Sequence, residues 1–209
     1  KTIQYYELDK LAQYFRLFGF GKITGIDIGR EYKGIIPNTA YMNERYGRFG
    51  WSKGSLLNFC IGQGEILVTP IQVFNYTNLL ATKGNANSPH LVSSIKKEPK
   101  SEILLAPQIW DRIIFDMGQV VSHAKGTGKN ADPAIQGVEI YGKTGTAENP
   151  HGEDHAWFIG WVQYEGRKFS IVVLLENSGS GGAVAAPLAK DVFDKIILGI
   201  NNSKQISLK

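Results

Sequence analysis

Residues 137–148 read GVEIYGKTGTAE, and the strand-like pattern that begins here decides the fold of the chain. Residues 155–164 and 169–175 continue it as two nearly unbroken apolar runs, each of a length that suits a buried strand. Glu165, Gly166, Arg167 and Lys168 separate those two runs, and the Glu165-Gly166 pair is the signal of a hairpin with a two-residue turn. Strands joined by such a turn are antiparallel, so the region predicts three adjacent strands of an antiparallel sheet.

Helical periodicity surrounds this predicted sheet on both sides. Four segments carry apolar residues spaced for one face of a helix, and glycines that end helices follow them at Gly19, Gly84, Gly126 and Gly199. The positions that mark these segments are Leu8, Leu11, Ala12, Phe15 and Phe18; the run that starts at Thr69; Trp110, Ile113, Ile114, Met117 and Val121; and Leu188, Val192 and Ile196. Residues 37–53 are aromatic and basic without a clear period and predict a long surface loop. Helices flanking an antiparallel sheet define the α+β class, which is the predicted fold class.

The second helix has the clearest start signal. Thr69 suits the N-cap, Pro70 suits the first helical position, and Gln72 stands three residues after the cap, where it can complete a capping box. The sequence therefore predicts a helix that begins at Pro70 and ends near Thr82, before the terminating Gly84.

The composition is that of a globular protein, with 209 residues of which 43% are hydrophobic and 20% charged. The single cysteine, Cys60, excludes an internal disulfide and a multi-cysteine metal site, and its apolar neighbours predict a small buried side chain. No metal or other cofactor is expected. The net charge of +4 comes without a basic cluster, so no nucleic-acid partner is expected either. Nor does the chain contain 18 consecutive apolar residues, the length that would span a membrane.

The beginning and the end of the chain also carry expectations. An amphipathic pattern opens almost at once, without an initiator methionine or a signal peptide, which is typical of a piece of a longer protein. We expect residues 1–200 to form part of one domain and residues 201–209 to form a polar, flexible tail.

Lys143 belongs to two overlapping motifs, of which the first is the phosphate-binding P-loop G-x-x-x-x-G-K-[ST] at residues 137–144. A P-loop needs a buried strand before its first glycine and a helix that starts at its lysine, whose N-terminal N–H groups hold the phosphates. The preceding residues 132–136, DPAIQ, are a poor buried strand. The following residues 144–152, TGTAENPHG, hold two glycines and a proline and are unsuited to start a helix. Nucleotide hydrolysis is therefore the weaker alternative.

The second motif is KTGT at residues 143–146, which is similar to the third motif of the penicillin-interacting serine enzymes. The resemblance implies a strand along a cleft, in which Lys143 supplies a positive charge and the hydroxyls of Thr144 and Thr146 bind a substrate carboxylate. Gly145 would let a ligand or another backbone approach closely. The backbone N–H of Thr146 would be one half of an oxyanion hole.

A longer likeness makes this resemblance specific. Residues 143–152, KTGTAENPHG, followed by DHAWFIG at 154–160, resemble the penicillin-binding protein 2 family, the elongation-type class B peptidoglycan transpeptidases. Three more stretches agree with that family in order and spacing: FGFG with TGID within 18–27, IGQG with TPIQ within 61–72, and EN with the glycine-rich turn within 176–186. The resemblance implies the β-lactamase/transpeptidase-like fold, with an antiparallel sheet flanked by helices.

The same resemblance carries expectations about the intact protein. It implies a penicillin-binding enzyme that cross-links peptidoglycan during cell elongation through an acyl-serine, with stem peptides as substrates and β-lactams as inhibitors. An elongation-type glycosyltransferase is the implied partner, and the implied location is the outer face of the bacterial cytoplasmic membrane, through an anchor absent from this chain. A β-lactam sensor without transpeptidase activity is a further alternative.

The family's nucleophile, a serine followed three residues later by a lysine, is expected to precede residue 18, together with the Ser-x-Asn motif. The pairs with that spacing here are Ser93 with Lys96, Ser94 with Lys97, and Ser122 with Lys125. The first two stand between prolines and the third at the end of a helix, so none has the buried helical setting that an activated serine needs. We therefore expect this chain to be the C-terminal half of a transpeptidase domain and to be inactive by itself.

Other polar residues stand next to the motifs. Gln63, Asp154 and His155 are candidates for the wall of the cleft, although hydrogen bonding at the ends of loops is the plainer role for Asp154 and His155. Trp157 and Trp161 are four residues apart on a predicted strand, hence on one face, and are expected in the core.

Overall fold

The computed structural model describes residues 2–92 and 100–207 of the chain. It divides into two compact units, residues 1–104 and residues 105–209. Among the described residues, no helix combines the length and the apolarity that crossing a bilayer requires.

The described residues of the first unit form four helices and a small antiparallel pair of strands. The helices are α1 (Thr2–Leu17), α2 (Thr39–Tyr46), α3 (Lys53–Cys60) and α4 (Pro70–Ala81), and the strands are β1 (Asn85–Asn87) and β2 (Lys100–Glu102). One hydrophobic cluster joins the first three helices through Leu8, Met42, Trp51 and Phe59.

Helix α4 starts and stops as its sequence predicts. The Thr69 side chain accepts the backbone N–H of Gln72, and the Gln72 side chain accepts the N–H of Thr69, which completes the capping box. Gln72 is 2% exposed, and its amide also donates to the carbonyls of Lys22 and Lys33 at 2.6 and 2.9 Å. At the other end, Gly84 donates back to the carbonyl of Leu79 at 2.7 Å. The capping glutamine therefore also fixes the loop that precedes α2.

The predicted loop at 37–53 is wrong in its middle, because α2 forms there. Asn38 caps this short helix by accepting the backbone N–H of Tyr41 at 2.9 Å, and Gly47 ends it with a φ of 76°. The helix buries a single residue, Met42, and the Trp51 indole donates to the Asn43 side chain at 2.9 Å. One buried residue in eight gives no apolar period, which is why periodicity did not reveal the helix.

The prediction of a buried Cys60 is also wrong, since its side chain is exposed. Cys60 is the last residue of α3, and Phe59, one position earlier, is fully buried. Successive residues of a helix point about 100° apart, so when Phe59 faces the core its neighbour turns outward.

The second unit is built around a three-stranded antiparallel sheet. Its strands are β3 (Glu139–Ala147), β4 (His155–Tyr164) and β5 (Arg167–Leu175), in the order β3-β4-β5. Glu165 and Gly166 join β4 to β5 with φ angles of 50° and 73°, the left-handed pair of a tight hairpin turn. The sequence prediction of three adjacent antiparallel strands is confirmed.

Up to residue 207, where the description ends, this unit also contains two long helices and two short helical turns. They are α5 (Pro107–Ser122), a 3-10 turn (Lys129–Ala131), a π-helical turn (Gly181–Ala185) and α6 (Ala186–Ser207). The core combines α6 with one face of the sheet, and it includes Phe158, Val162, Ala189, Phe193 and Ile197. This arrangement confirms the α+β class.

The predicted core face of α6 is only partly right: Ile196 packs against the core, but the other two predicted residues do not face it. Leu188 and Val192 are 41% and 37% exposed, whereas Ala189 and Phe193 in the adjacent row are fully buried. The two rows differ by one position, and the row with small alanines lets the helix approach the sheet closely. The helix also passes Gly199 and continues to Ser207, so the predicted stop is wrong; the flexibility of residues 201–209 stays a prediction.

Candidate active site

The KTGT residues lie in strand β3, which among the described strands pairs with β4 alone. Two glycines allow this strand to lie close to its surroundings. A Cβ on Gly142 would stand 2.4 Å from the ring of Phe158, and one on Gly160 would stand 2.2 Å from the carbonyl of Tyr141. Both distances are far below van der Waals contact, so β3 and β4 need glycine at these positions.

A cleft of about 590 Å³ lies along β3. Its lining comes from β3, the segment after α5 and the π-helical turn: Gly126, Thr127, Lys129, Asn130, Lys143, Thr144, Gly145, Thr146, Ser180, Gly182 and Ala183. Two lysines and four hydroxyl side chains are among these lining residues, and no carboxylate is. The cleft is therefore positively charged and suited to an anionic ligand.

Lys143 is exposed at this cleft, and its ammonium donates to the carbonyl of Thr144 at 2.5 Å. Strand β3 continues through Lys143 to Ala147, so no helix starts at the lysine. The P-loop alternative is therefore wrong, because the helical N–H groups that would hold a phosphate are missing from this place.

The two threonines of the motif make different contacts. The hydroxyl oxygens of Thr144 and Thr127 lie 2.8 Å apart, and the Thr146 hydroxyl accepts the backbone N–H of Gly181 at 3.4 Å. Thr144 is half-buried and Thr146 exposed. The structure thus brings all the predicted residues of the motif to one cleft, while their roles toward a substrate stay predictions.

The π-helical turn closes one side of the cleft through its two glycines. A Cβ on Gly181 would stand 2.3 Å from the carbonyls of both Gly145 and Trp157, and one on Gly182 would stand 2.5 Å from the carbonyl of Thr127. This approach depends on the missing side chain of Gly181. A Cβ on Gly145 would meet the Trp157 side chain at 3.2 Å, so the role of Gly145 in admitting a ligand or another backbone stays a prediction.

Sequence reasoning missed the contribution of the segment after α5. Thr127 lines the cleft, and Asn130 lines it while donating to the carbonyl of Gly182 at 3.0 Å. In the sequence, residues 126–128, GTG, predict only the end of a helix. Their signal was local and gave no indication that they meet a strand 17 positions later.

The candidate wall residues have other contacts. The Asp154 carboxylate accepts the N–H of Asn149 at 3.4 Å, its carbonyl accepts the N–H of Ser178 at 2.9 Å, and His155 Nδ1 accepts the N–H of Asn177 at 3.1 Å. These bonds join the β3–β4 loop to the segment after β5, which is the predicted hydrogen bonding at loop ends. Gln63 lies in the first unit, after α3. A cleft-wall role for any of the three stays a prediction.

The serine–lysine pairs give no activated nucleophile among the described residues. Ser122 is exposed at the end of α5, and its hydroxyl donates to the carbonyl of Gly118 at 3.0 Å. The pairs that begin at Ser93 and Ser94 lie outside the described residues. On the sheet, Trp161 is 1% exposed and stacks on Tyr141 with ring centres 5.0 Å apart, while Trp157 is half-buried.

Comparison with known proteins identifies the family of this chain. Residues 2–194 match the family described as the penicillin-binding protein transpeptidase domain. The peptidoglycan D,D-transpeptidase MrdA of Haemophilus influenzae is 36% identical over 90% of this chain and 32% of its own length. The peptidoglycan D,D-transpeptidase PbpA of Mycobacterium tuberculosis is 32% identical over 91% of this chain and 40% of its own length. This chain spans about a third of the length of the curated relatives it matches.

Solved structures agree with the sequence comparison. Pseudomonas aeruginosa penicillin-binding protein 2, in complex with WCK 5153, has a TM-score of 0.77 and 34% identity, over 90% of this chain and 42% of that chain. Helicobacter pylori penicillin-binding protein 2, in a complex with MreC, has a TM-score of 0.76 and 29% identity, over 92% of this chain and 38% of that chain. The resemblance and the fold predicted from the residues are confirmed.

Proposed function

This chain belongs to the penicillin-binding protein transpeptidase family, and we propose that it is part of an elongation-type peptidoglycan D,D-transpeptidase. The observation that carries the proposal is the KTGT strand at a cleft that lysines and hydroxyls line without a carboxylate. A peptide ending in D-Ala-D-Ala presents a terminal carboxylate next to the amide that must react, and a cleft of this charge suits it.

The reaction requires a serine from outside the described residues. Its oxygen attacks the carbonyl between the two D-alanines, the C–N bond breaks, the terminal D-alanine leaves with a proton, and an acyl-serine remains. An amine of a neighbouring peptide then attacks the ester and releases the serine. Lys143 supplies a positive charge, the hydroxyls of Thr144 and Thr146 bind the carboxylate, and the N–H of Thr146 stabilises the oxyanion.

β-Lactams fit the same chemistry because they carry a carboxylate near a reactive amide. Their acyl-enzymes persist, which makes the protein their target. In the intact protein, we expect an anchor in the cytoplasmic membrane, a catalytic domain on the outer face, and an elongation-type glycosyltransferase as partner.

The test uses the full-length protein and a fluorescent penicillin. Lys143→Ala should lower the second-order rate of acylation by about 10², the loss seen when one charge-stabilising donor is removed from such a site. Lys195→Ala, an exposed lysine of α6, is the charge-matched control and should leave the rate unchanged.

Acylation of the Lys143→Ala protein within threefold of the parent would reject the role of this lysine. Transfer of an acyl group from a D-Ala-D-Ala peptide to an added amine is the second measurement. A protein that is acylated by penicillin but performs no such transfer would be a sensor, and the proposal of a transpeptidase would be wrong.

A further inference from the structure

We propose that Thr127 is a positioning residue that aims the Thr144 hydroxyl at the carboxylate of the substrate. The inference rests on the proposed function and deepens it. Its basis is the pair of hydroxyl oxygens 2.8 Å apart in the cleft, one from the KTGT strand and one from the segment after α5.

The backbone around Thr127 is fixed on both sides. Gly126 donates its N–H to the carbonyl of His123 at 2.8 Å, and Gly128 donates to the carbonyl of Val120 at 2.9 Å, so the segment stays at the end of α5. The carbonyl of Thr127 lies so near Gly182 that a Cβ there would stand 2.5 Å away. The side chain of Thr127 thus projects from a rigid backbone, and rigid support is what a positioning residue needs.

Counting protons gives the direction of the bond. A threonine hydroxyl donates one hydrogen bond and accepts up to two. If Thr144 donates to Thr127, it has no proton left for a ligand. If Thr127 donates to Thr144, the Thr144 proton is free, and an ionised carboxylate, which only accepts, selects this second arrangement.

The selected arrangement forms a chain from Thr127 through Thr144 to the carboxylate. Hydrogen bonds in such a chain polarise one another, and a bond to a charged acceptor is about twice as strong as one to a neutral acceptor. Thr127 should therefore contribute most when the ligand carries a carboxylate and little when that group is neutral.

The experiment measures acylation of the full-length protein by a penicillin and by the methyl ester of the same penicillin. Thr127→Val keeps the shape of the side chain and removes the hydroxyl. We expect it to lower the ratio of acid to ester rates about three- to tenfold, the worth of one hydrogen bond. Thr127→Ser keeps the hydroxyl and should retain the parent ratio of acid to ester rates. Thr127→Ala should lower this ratio as much as Thr127→Val does.

A double variant tests the link between the two hydroxyls. Thr144→Val alone should lower the ratio of acid to ester rates. Adding Thr127→Val should lower this ratio little further, because the hydrogen bonds from Thr127 through Thr144 to the carboxylate are already interrupted. Equal losses with acid and ester would mean that Thr127 only supports the fold, and the inference would be wrong. Full additivity of the two substitutions would overturn it as well.

Acylation of the parent protein and of the variants separates a failure of the Thr127 role from a failure of the proposed function. If the parent protein is not acylated at all, the proposed function fails. If the parent is acylated and Lys143→Ala is impaired, but Thr127→Val leaves the ratio unchanged, only the role of Thr127 fails.

Discussion

At the residue scale, Lys129 is the second lysine that lines the cleft, beside Lys143. Lys129→Ala should lower the rate of acylation by an anionic penicillin about two- to fivefold at low salt, because an exposed charge contributes no more than about 1 kcal/mol. The difference should shrink at about 1 M salt, where the Debye length is roughly 3 Å. Acylation rates of the full-length protein at two salt concentrations provide the measurement.

Lys125→Ala is the matched control for Lys129→Ala. Lys125 is also exposed and lies four residues earlier, outside the cleft lining, so its loss should leave the rate nearly unchanged. Equal effects of the two substitutions would show that only the net charge of the protein affects the acylation rate and that the position of Lys129 in the cleft has no specific role.

Glu31 carries a second prediction at this scale, which concerns pH. Its carboxylate accepts the N–H and the hydroxyl of Thr24 at 2.8 and 2.7 Å and the N–H of Gly25 at 2.8 Å. Partial burial raises the pKa of Glu31, but these hydrogen bonds to the charged form outweigh it and leave the pKa below its usual value. A depressed pKa stabilises the fold above the unfolded pKa, and this contribution is lost as the pH falls through the folded pKa.

Glu31→Gln should therefore lower the free energy of unfolding at pH 7 and have a smaller effect at pH 3, because the contribution of the charged form is lost as the pH falls through the folded pKa. Urea titrations at the two pH values measure the difference. Glu44→Gln, on the exposed side of α2, is the control and should have little effect at either pH. A Glu31→Gln effect that is equal at both pH values would show that shape, rather than charge, matters at this position.

The sequence predicts the position of a residue well when its neighbours in the chain determine that position, and poorly when contacts between distant segments do. Lys143 to Thr146 are adjacent in the chain, so one motif was enough to bring them to a strand and a cleft. Thr127 contacts Thr144 only because α5 ends beside β3, and no local pattern encodes that contact. Cys60 was misplaced for a related reason, since an apolar run does not specify which of its residues faces the core.

At the scale of elements, the π-helical turn at Gly181–Ala185 controls how closely the chain can approach β3. Gly181→Ala should destabilise the protein by about 1–3 kcal/mol, the usual cost of forcing extra atoms into a packed site, because its Cβ would meet two carbonyls at 2.3 Å. The same displacement should slow acylation of the full-length protein. Thermal unfolding and acylation rates measure the two effects.

Gly199→Ala is the matched control for Gly181→Ala. Gly199 lies within α6 with nothing within 4 Å of an added Cβ, so alanine should stabilise the helix by up to about 1 kcal/mol. If both substitutions destabilised the protein equally, the contacts of Gly181 would not be the cause.

Elements with strong local signals were predictable, and elements that depend on distant contacts were not. The hairpin at Glu165 and Gly166 and the capping box at Thr69 are complete within a few residues, and both are confirmed. Helix α2 buries one residue and is stabilised by caps and by Trp51, so it has no period of its own. The core face of α6 carries Ala189, Phe193 and Ile197 rather than Leu188 and Val192, and apolar spacing alone does not distinguish these two adjacent rows.

At the scale of the whole molecule, the chain holds one part of the proposed active site. The KTGT strand and its cleft belong to residues 105–209, and the pairs with the spacing of an activated serine and lysine are only those at Ser93, Ser94 and Ser122. Sequence analysis predicts this partial site only through the family resemblance, whose motif order places the nucleophile before residue 18, and that position stays a prediction. It could not predict that the described chain forms two compact units, which depends on the contacts that each unit makes within itself.

We predict that this chain alone forms no stoichiometric covalent adduct with a fluorescent penicillin. Acylation needs a serine whose proton a nearby lysine removes on a buried helix, and Ser122 is exposed beside a helix end and bonded to a backbone carbonyl. A denaturing gel after incubation with excess labelled penicillin, with boiled protein as the blank, is the measurement. A band that disappears with Ser122→Ala or Ser93→Ala would mean that the nucleophile lies within this chain. A band that appears only after the preceding part of the protein is added would support a site assembled from both parts, and Lys143→Ala in this chain should then weaken that band.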